Sequence, residues 1–176
     1  MRNLRSYYSA SIADFLHQPD REILGIIHAN DISAETTIQQ SNTWESEIAI
    51  LKDQLRAFSG GRIIFEYTIP RMGKRVDAVV LYRSIVFLLE FKVGDKEYRE
   101  NTYDQVYDYS LDLRNFQKES HNKLLACLMI STRAPEQPCV INEHNRIIEP
   151  IHCNSENIAS RIEVNRMKKW LLQKLQ

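Results

Sequence analysis

Apolar positions along the chain recur with two different periods, and the change between them divides the sequence into elements. Between residues 9 and 30, Ile12, Phe15 and Leu16 precede "QPD", and Ile23, Leu24, Ile26 and Ile27 follow it. That spacing predicts a modestly amphipathic helical segment, in which Pro19 opens a second short helix because proline suits a first turn. The polar stretch "NDISAETTIQQSNT" reads as a connector. From Thr43 onward, Trp44, Ile48, Leu51, Leu55 and Phe58 fall at i, i+4, i+7, i+11 and i+14. They form one apolar stripe on a helix that "SGG" at 59–61 stops.

The pattern then changes to strand type. "RIIFEYTI" (62–69), "RVDAVVLY" (75–82) and "SIVFLLEFK" (84–92) are rich in Ile, Val, Phe and Tyr. Short breaks at "PRMGK" and at Arg83-Ser84 predict an antiparallel meander. Ile85 to Leu89 is apolar at every position, so both faces of that strand are covered and it is central. Residues 97–116 predict a helix on which Tyr103, Val106, Tyr107 and Ser110 pack. "LLACLMIST" (124–132) predicts another fully buried strand. A further strand pair is expected around Val140 and "RIIEPIHC", and then a last helix, capped by Ser155, running to the end. This order of elements indicates a mixed α/β sandwich.

At 176 residues and 43% apolar content, the chain has the size of one domain with one good core. Its formal net charge is zero, so any polyanion site must come from local clustering of Lys and Arg. The three cysteines, Cys127, Cys139 and Cys153, are odd in number and show no CxxC spacing, which argues against a disulfide framework or a zinc ribbon. No apolar run approaches the length of a membrane span, and the N-terminus lacks the apolar core of a signal peptide. The expectation is a cytoplasmic protein. Five histidines without HxxxH spacing give no support to zinc chemistry or a Ser-His triad.

Against this background, Asp77, Glu90 and Lys92 are charges set into an apolar hairpin. Side chains alternate across a strand, so Glu90 and Lys92 share a face. A turn at Arg83-Ser84 pairs the strands so that Asp77 lies opposite Glu90, with Cβ atoms about 4.5 to 5.5 Å apart. Like charges so placed destabilise a sheet unless something positive lies between them. A divalent cation is the simplest such group, since two carboxylates, a main-chain carbonyl and waters suit an oxygen-liganded ion such as Mg²⁺ or Mn²⁺. Lys92 could then orient a nucleophilic water or stabilise a developing oxyanion. The alternative is an Asp77–Lys92 ion pair, with Glu90 as a solvated strand end.

Two further elements bear on this cluster. Glu47 is flanked by Trp44 and Leu51 on the apolar side of its helix, away from Glu45, Lys52 and Arg56. Either the positive end of the helix dipole holds it, worth at most about 1 kcal/mol, or it faces a metal or water. Gln105 and Tyr109, spaced i, i+4, project from one face of the helix that must pack beside the Glu90 strand.

Asp77, twelve intervening residues and Glu90-Phe91-Lys92 resemble the D-x(n)-ExK signature of the PD-(D/E)XK nuclease superfamily, which has the restriction-endonuclease-like fold. Glu47 matches the acidic residue on that superfamily's first core helix, and Gln105 with Tyr109 matches the QxxxY motif of its RecB and lambda-exonuclease-type members. "YYSASIADFL", "WESEIAILKDQL", "FEYTIPRMGKRVDAVVL" and "FLLEFKVG" are similar to the nuclease-like domain ahead of superfamily 1 DNA/RNA helicase-type motors in many bacterial proteins. The likeness covers most of residues 7–132. In departure from the pattern, Pro70 lies seven residues before Asp77, and no GxxxxGK[ST] phosphate loop is present, so ATP dependence does not carry over.

The resemblance implies an α/β, restriction-endonuclease-like three-layer sandwich: a central mixed sheet, an antiparallel meander plus a further strand, flanked by helices. It implies one nuclease-like domain over 1–176, with an N-terminal helical extension (1–42), a catalytic core (43–132) and C-terminal strands and helix (133–176). The implied activity is a Mg²⁺-dependent nuclease, with Mn²⁺ substituting, that cuts DNA in a bacterial repair or defence setting. Asp77, Glu90 and the Phe91 carbonyl would be metal ligands and Glu47 would assist a metal or water. Lys92 would sit near the attacking water, and Gln105 and Tyr109 would brace the site or contact DNA. A separate helicase or NTPase is a possible partner, and a catalytically silent nucleic-acid-binding or docking module is the alternative function.

For phosphate contact the candidates are Arg71, Lys74 and Arg75, in the loop leading to Asp77, where Gly73 allows close backbone approach. The last helix adds Arg161, Arg166, Lys168, Lys169 and Lys174 beside an apolar stripe of Val164, Met167, Leu171 and Leu175. Core packing with a solvated cationic face and a polyanion surface both fit that pattern. Tyr103 and Tyr107 fit either the core or base stacking.

Overall fold

A computed structural model describes residues 5–33, 36–116 and 122–164. Seven strands form one mixed sheet: β1 (Tyr8–Ser11), β2 (Arg62–Thr68), β3 (Arg75–Tyr82), β4 (Ile85–Lys92), β5 (Leu124–Ser131), β6 (Glu143–His144) and β7 (Ile147–Cys153). Their order across the sheet is β1-β2-β3-β4-β5-β7-β6. The first four pair antiparallel, β4, β5 and β7 run parallel, and β6 returns antiparallel along the edge. Helices are α1 (Ile12–His17), α2 (Asp20–Asn30), α3 (Ile38–Gln54), α4 (Glu100–Phe116) and a fifth, α5, described over 158–164.

The result is a three-layer α/β sandwich. One face of the sheet packs with α1, α2, α3 and α5 through Phe15, Ile23, Trp44, Ile48, Phe87 and Ile162. The opposite face packs with α4 through Val79, Leu88, Val106, Leu113 and Met129. Parallel neighbours need a long crossover, and α4 supplies it between β4 and β5. As its unbroken apolar runs require, the sheet centre is covered on both sides, and every residue of β5 is buried.

The meander forms as its pattern predicts. Arg83 and Ser84 both have positive φ, 50° and 67°, the two-residue turn whose twist matches the flanking strands. It sets the register from Tyr82↔Ile85 to Ala78↔Leu89. At the start of β2, a Cβ on Gly61 (φ 95°) would lie 2.8 Å from the Leu81 carbonyl oxygen, so only glycine admits this approach to β3.

Several expectations are corrected. Residues 9–11 are not helical: with Tyr8 they form β1, which pairs with Arg62–Phe65 at the sheet edge. The helix expected from Thr43 begins at Ile38, because Thr37 accepts a hydrogen bond from the Gln40 amide and so caps a polar first turn. It ends at Gln54, before "SGG". Val140 lies outside any strand and is 64% exposed, and the partner of β7 is the two-residue β6. The last helix begins at 158, and the Ser155 hydroxyl donates to the Thr132 carbonyl. Arg161 is buried and bonded to Glu136 and Gln137, so it belongs to the core side and not to a solvated cationic face. Arg166, Met167, Lys168, Lys169, Leu171, Lys174 and Leu175 lie outside the described residues.

Candidate active site

Two strand ladders break at the same place. Pairing of β3 with β4 is recorded up to Ala78↔Leu89, one residue short of Asp77 and Glu90. There the Asp77 carboxylate, not a main-chain carbonyl, accepts the Phe91 N–H, at 2.7 Å. Between β2 and β3 the pairs run from Phe65↔Ala78 to Tyr67↔Val76 and skip Glu66 and Asp77, where Glu66 adopts φ 52°. A non-glycine residue held in that region marks local strain of the kind found at functional sites. The broken ladders leave room for side chains where the sheet centre would otherwise be closed.

Glu90 stands in this gap, 3% exposed. Its Oε1 accepts from Lys92 Nζ at 2.9 Å and from Gln105 Nε2 at 2.8 Å. Gln105 also donates to the Tyr109 hydroxyl oxygen at 2.7 Å. The other oxygen, Glu90 Oε2, is buried and receives no hydrogen bond among the described residues, and the same holds for Glu47 Oε2. Glu47 approaches from α3, in the opposite layer from α4. The site therefore draws on both helical layers through the opening in the sheet.

With α3 starting at Ile38, Glu47 sits mid-helix and not near the positive dipole end. The dipole account of its burial accordingly fails. Glu47, Glu66, Asp77, Glu90, Phe91 and Lys92 line one open pocket of about 290 Å³. Burial, then the charges of Asp77, Glu66 and Glu90, push the Glu47 carboxyl well above the usual range. Burial and the Asp77 charge push Glu90 up to about 8, against the pull of Lys92. Asp77 rises to about 6 through burial, opposed by the Phe91 N–H, by Lys92, by a side-chain hydrogen bond with Glu90 and by Arg75. Lys92, half-buried, loses hydration but gains more from Glu90, Asp77 and Asp95 together, so its pKa is raised and it stays an ammonium.

No protein-family model, curated protein or solved structure matches this chain.

The site's own chemistry is that of crowded acids with too little positive charge. Lys92, with Arg75 at Glu66, serves four carboxyls, and among the described residues two buried carboxyl oxygens lack a donor. Oxygen-only donors with spare lone pairs suit a hard divalent cation, so Asp77, Glu90, Glu47 and the Phe91 carbonyl fit such an ion. Among the described residues, no three acidic, His or Cys side chains converge as a preformed metal cage. Instead, Lys92 sits on Glu90 and the Phe91 amide on Asp77, so an entering cation would compete with Lys92 for Glu90.

All six residues expected in the site, Glu47, Asp77, Glu90, Lys92, Gln105 and Tyr109, meet in one network or pocket. The three loop cations do not stay together. Lys74 turns to Asp112 of α4 at 3.5 Å. Arg75 lies 3.4 Å from Glu66 and over the Tyr7 ring at 4.9 Å. Arg71 is exposed in the turn, at φ 68°.

Sequence reasoning missed Glu66. It is 7% exposed, its Oε1 accepts from the Trp44 indole N–H at 2.8 Å, and burial with the Asp77 charge raises its carboxyl to about 7. A signal was present: extending the β2–β3 pairing places Glu66 opposite Asp77, and an acid in so apolar a strand needs a reason.

Proposed function

We propose that this protein is a magnesium- or manganese-dependent nuclease that acts inside the cell and hydrolyses phosphodiester bonds of nucleic acid, DNA in the first instance. The observation that carries the reading is the state of Glu90. One oxygen is fixed by Lys92 and Gln105 while the other, with Glu47 Oε2, lies buried beside Asp77 and without a donor among the described residues. The resemblance of Asp77, Glu90-Phe91-Lys92, Glu47 and Gln105-x-x-x-Tyr109 to the PD-(D/E)XK pattern supports the same reading, and with it a bacterial repair or defence setting.

A divalent cation bound by Asp77, Glu90, Glu47 and the Phe91 carbonyl supplies a Lewis acid for the phosphate and an acidified water. The protein's own groups do the rest. Lys92 holds a permanent positive charge at the pocket, where it orients the attacking water and offsets negative charge gathering on the phosphoryl oxygens. Glu47, whose Oε2 is without a donor among the described residues, is placed to take the proton as the water oxygen bonds to phosphorus. One phosphorus–oxygen bond to the sugar then breaks, and the departing sugar oxygen takes a proton from solvent water, leaving a phosphate monoester and a hydroxyl. Gln105 and Tyr109 act as positioning residues that fix the Glu90 carboxylate.

The test is cleavage of single- and double-stranded DNA and RNA with Mg²⁺ or Mn²⁺, with Asp77→Ala and Lys92→Ala as controls. Loss of at least about 10²-fold in rate is expected for each, with the fold retained by circular dichroism. Cleavage that survives either substitution sinks the mechanism. A second reading, a silent nucleic-acid-binding or docking module working with a helicase or NTPase, is favoured by one observation: Lys92 already occupies Glu90. Nucleic-acid binding without metal-dependent cleavage would select it.

A further inference from the structure

We infer that the cleft lined by Arg5, Arg71 and Arg75 binds the sugar–phosphate backbone of nucleic acid on one side of the bond to be cut. This rests on the nuclease reading of the neighbouring pocket. The cleft is open, about 880 Å³ in volume, and no carboxylate is among its described lining residues. Arg75 is paired with Glu66, but Arg5 and Arg71 have no carboxylate partner among the described residues, so an anion that enters the hollow meets two uncompensated guanidiniums.

Backbone hydrogen bonds anchor the segments that carry two of the arginines. Arg5 is anchored beside β2, where its carbonyl accepts the Thr68 N–H at 2.8 Å. Arg71 is carried on the tight turn closed by the Ile69 N–H to Lys74 carbonyl bond, at 2.9 Å. Both side chains are exposed, and neither has a side-chain hydrogen bond or ion pair among the described residues. Planar guanidiniums in this state are suited to the non-bridging oxygens of a phosphodiester. Pro70 and Ile32, the latter 77% exposed, give the hollow an apolar side for sugar or base.

Arg75 joins the cleft to the acidic pocket. Its guanidinium contacts Glu66, and Glu66 lines the pocket that holds Asp77 and Glu90. A strand lying in the cleft is thereby led to the acids, and nothing in it reads base edges. Recognition is by charge and shape, independent of sequence. Lys74, turned away to Asp112, takes no part.

The test is binding of labelled single-stranded DNA, duplex DNA and RNA, each in two unrelated sequences, over a range of salt with Ca²⁺ to hold cleavage back. Cleavage is measured separately with Mn²⁺. Replacing Arg5→Ala and Arg71→Asn together removes two surface cations; asparagine suits the positive φ at position 71. The expected result is an affinity loss equal for both sequences and a salt slope shallower by about 1.5. Cleavage should keep its kcat and show a raised KM, and Lys74→Ala should change nothing. An unchanged slope in the double variant, or an equal loss from Lys74→Ala, overturns the cleft while leaving the nuclease reading intact if the wild type cuts. Wild-type protein that binds through these arginines but cuts nothing overturns the nuclease reading and leaves the cleft. Absence of both binding and cleavage overturns both.

Discussion

Gln105 Nε2 donates at once to Glu90 Oε1, at 2.8 Å, and to the Tyr109 hydroxyl oxygen, at 2.7 Å. Both amide protons are used, so the side chain has a single orientation and holds Glu90 from behind while Lys92 holds it in front. Gln105→Met keeps the length and removes the donors. It should lower cleavage or Mn²⁺ affinity about 10- to 100-fold. Tyr109→Phe should cost less, since Gln105 still reaches Glu90. The measurement is cleavage rate against Mn²⁺ concentration. A Gln105→Met enzyme with an unmoved midpoint and rate would mean that the amide is mere packing.

Trp44 ties α3 to β2 through its indole bond to Glu66, and Glu47 lies three residues further along the same helix. Trp44→Phe preserves the apolar bulk but leaves Glu66 Oε1 buried without its donor, at a cost of about 1–3 kcal/mol. Because α3 also carries Glu47, cleavage should fall together with thermal stability. Glu66→Gln separates the two effects. It can still accept from Trp44, so stability should hold while the charge next to Asp77 is lost. A pH–rate profile for Glu66→Gln that superposes on the wild type would restrict Glu66 to a purely structural part.

What the sequence revealed follows from how each element is covered. β4 and β5 are apolar at nearly every position because both faces are packed, and no loop carries such runs. The I′ turn was located by strand lengths on either side, although Arg83-Ser84 lacks the usual Asn or Gly. β1 escaped notice because "YSAS" is a short edge strand with one buried residue. The first turn of α3 escaped because "IQQSN" is polar. Its only mark is the Thr37-x-x-Gln40 cap, which hydrophobic periodicity does not see. The acids on β3, β4 and α3 stood out because charges in apolar elements demand partners. The loop cations part company because neighbours in a turn point to different faces, so Lys74 meets Asp112 while Arg75 meets Glu66.

Stability without metal should fall as pH rises from about 4 to about 8. Asp77, Glu66 and Glu90 have folded pKa values raised to about 6, 7 and 8, and Glu47 is raised as well. A carboxyl whose folded pKa lies above its unfolded value gives its full contribution below the unfolded value. That contribution is lost as pH passes through the folded one. Lys92, raised above its usual value, stays charged throughout this window. Thermal melts in chelator should therefore show a falling Tm across the range. Millimolar Mn²⁺ should restore Tm at the alkaline end and have little effect at the acid end, where the ligands are protonated. A flat profile in chelator, or equal metal stabilisation at both ends, would contradict the crowding of acids described here.

Glu47 gives the sharpest separation of function from stability. Its carboxylate is buried, unpaired at Oε2, and faces three other acids with only Lys92 in compensation. Replacing a buried carboxyl whose ionisation is opposed by burial and by neighbouring acids relieves that cost only where it ionises, so Glu47→Gln should flatten the fall in metal-free stability as pH rises and change little at the acid end. On the nuclease proposal the same change should lower cleavage and shrink the Tm gain on adding Mn²⁺, because it alters a proposed donor of the cation and the proposed base for water. Glu45→Gln, on the exposed side of the same helix, should change neither by more than about 0.5 kcal/mol. If Glu47→Gln instead destabilises the metal-free protein, the carboxylate has a structural partner. Its burial would then be explained without any cation.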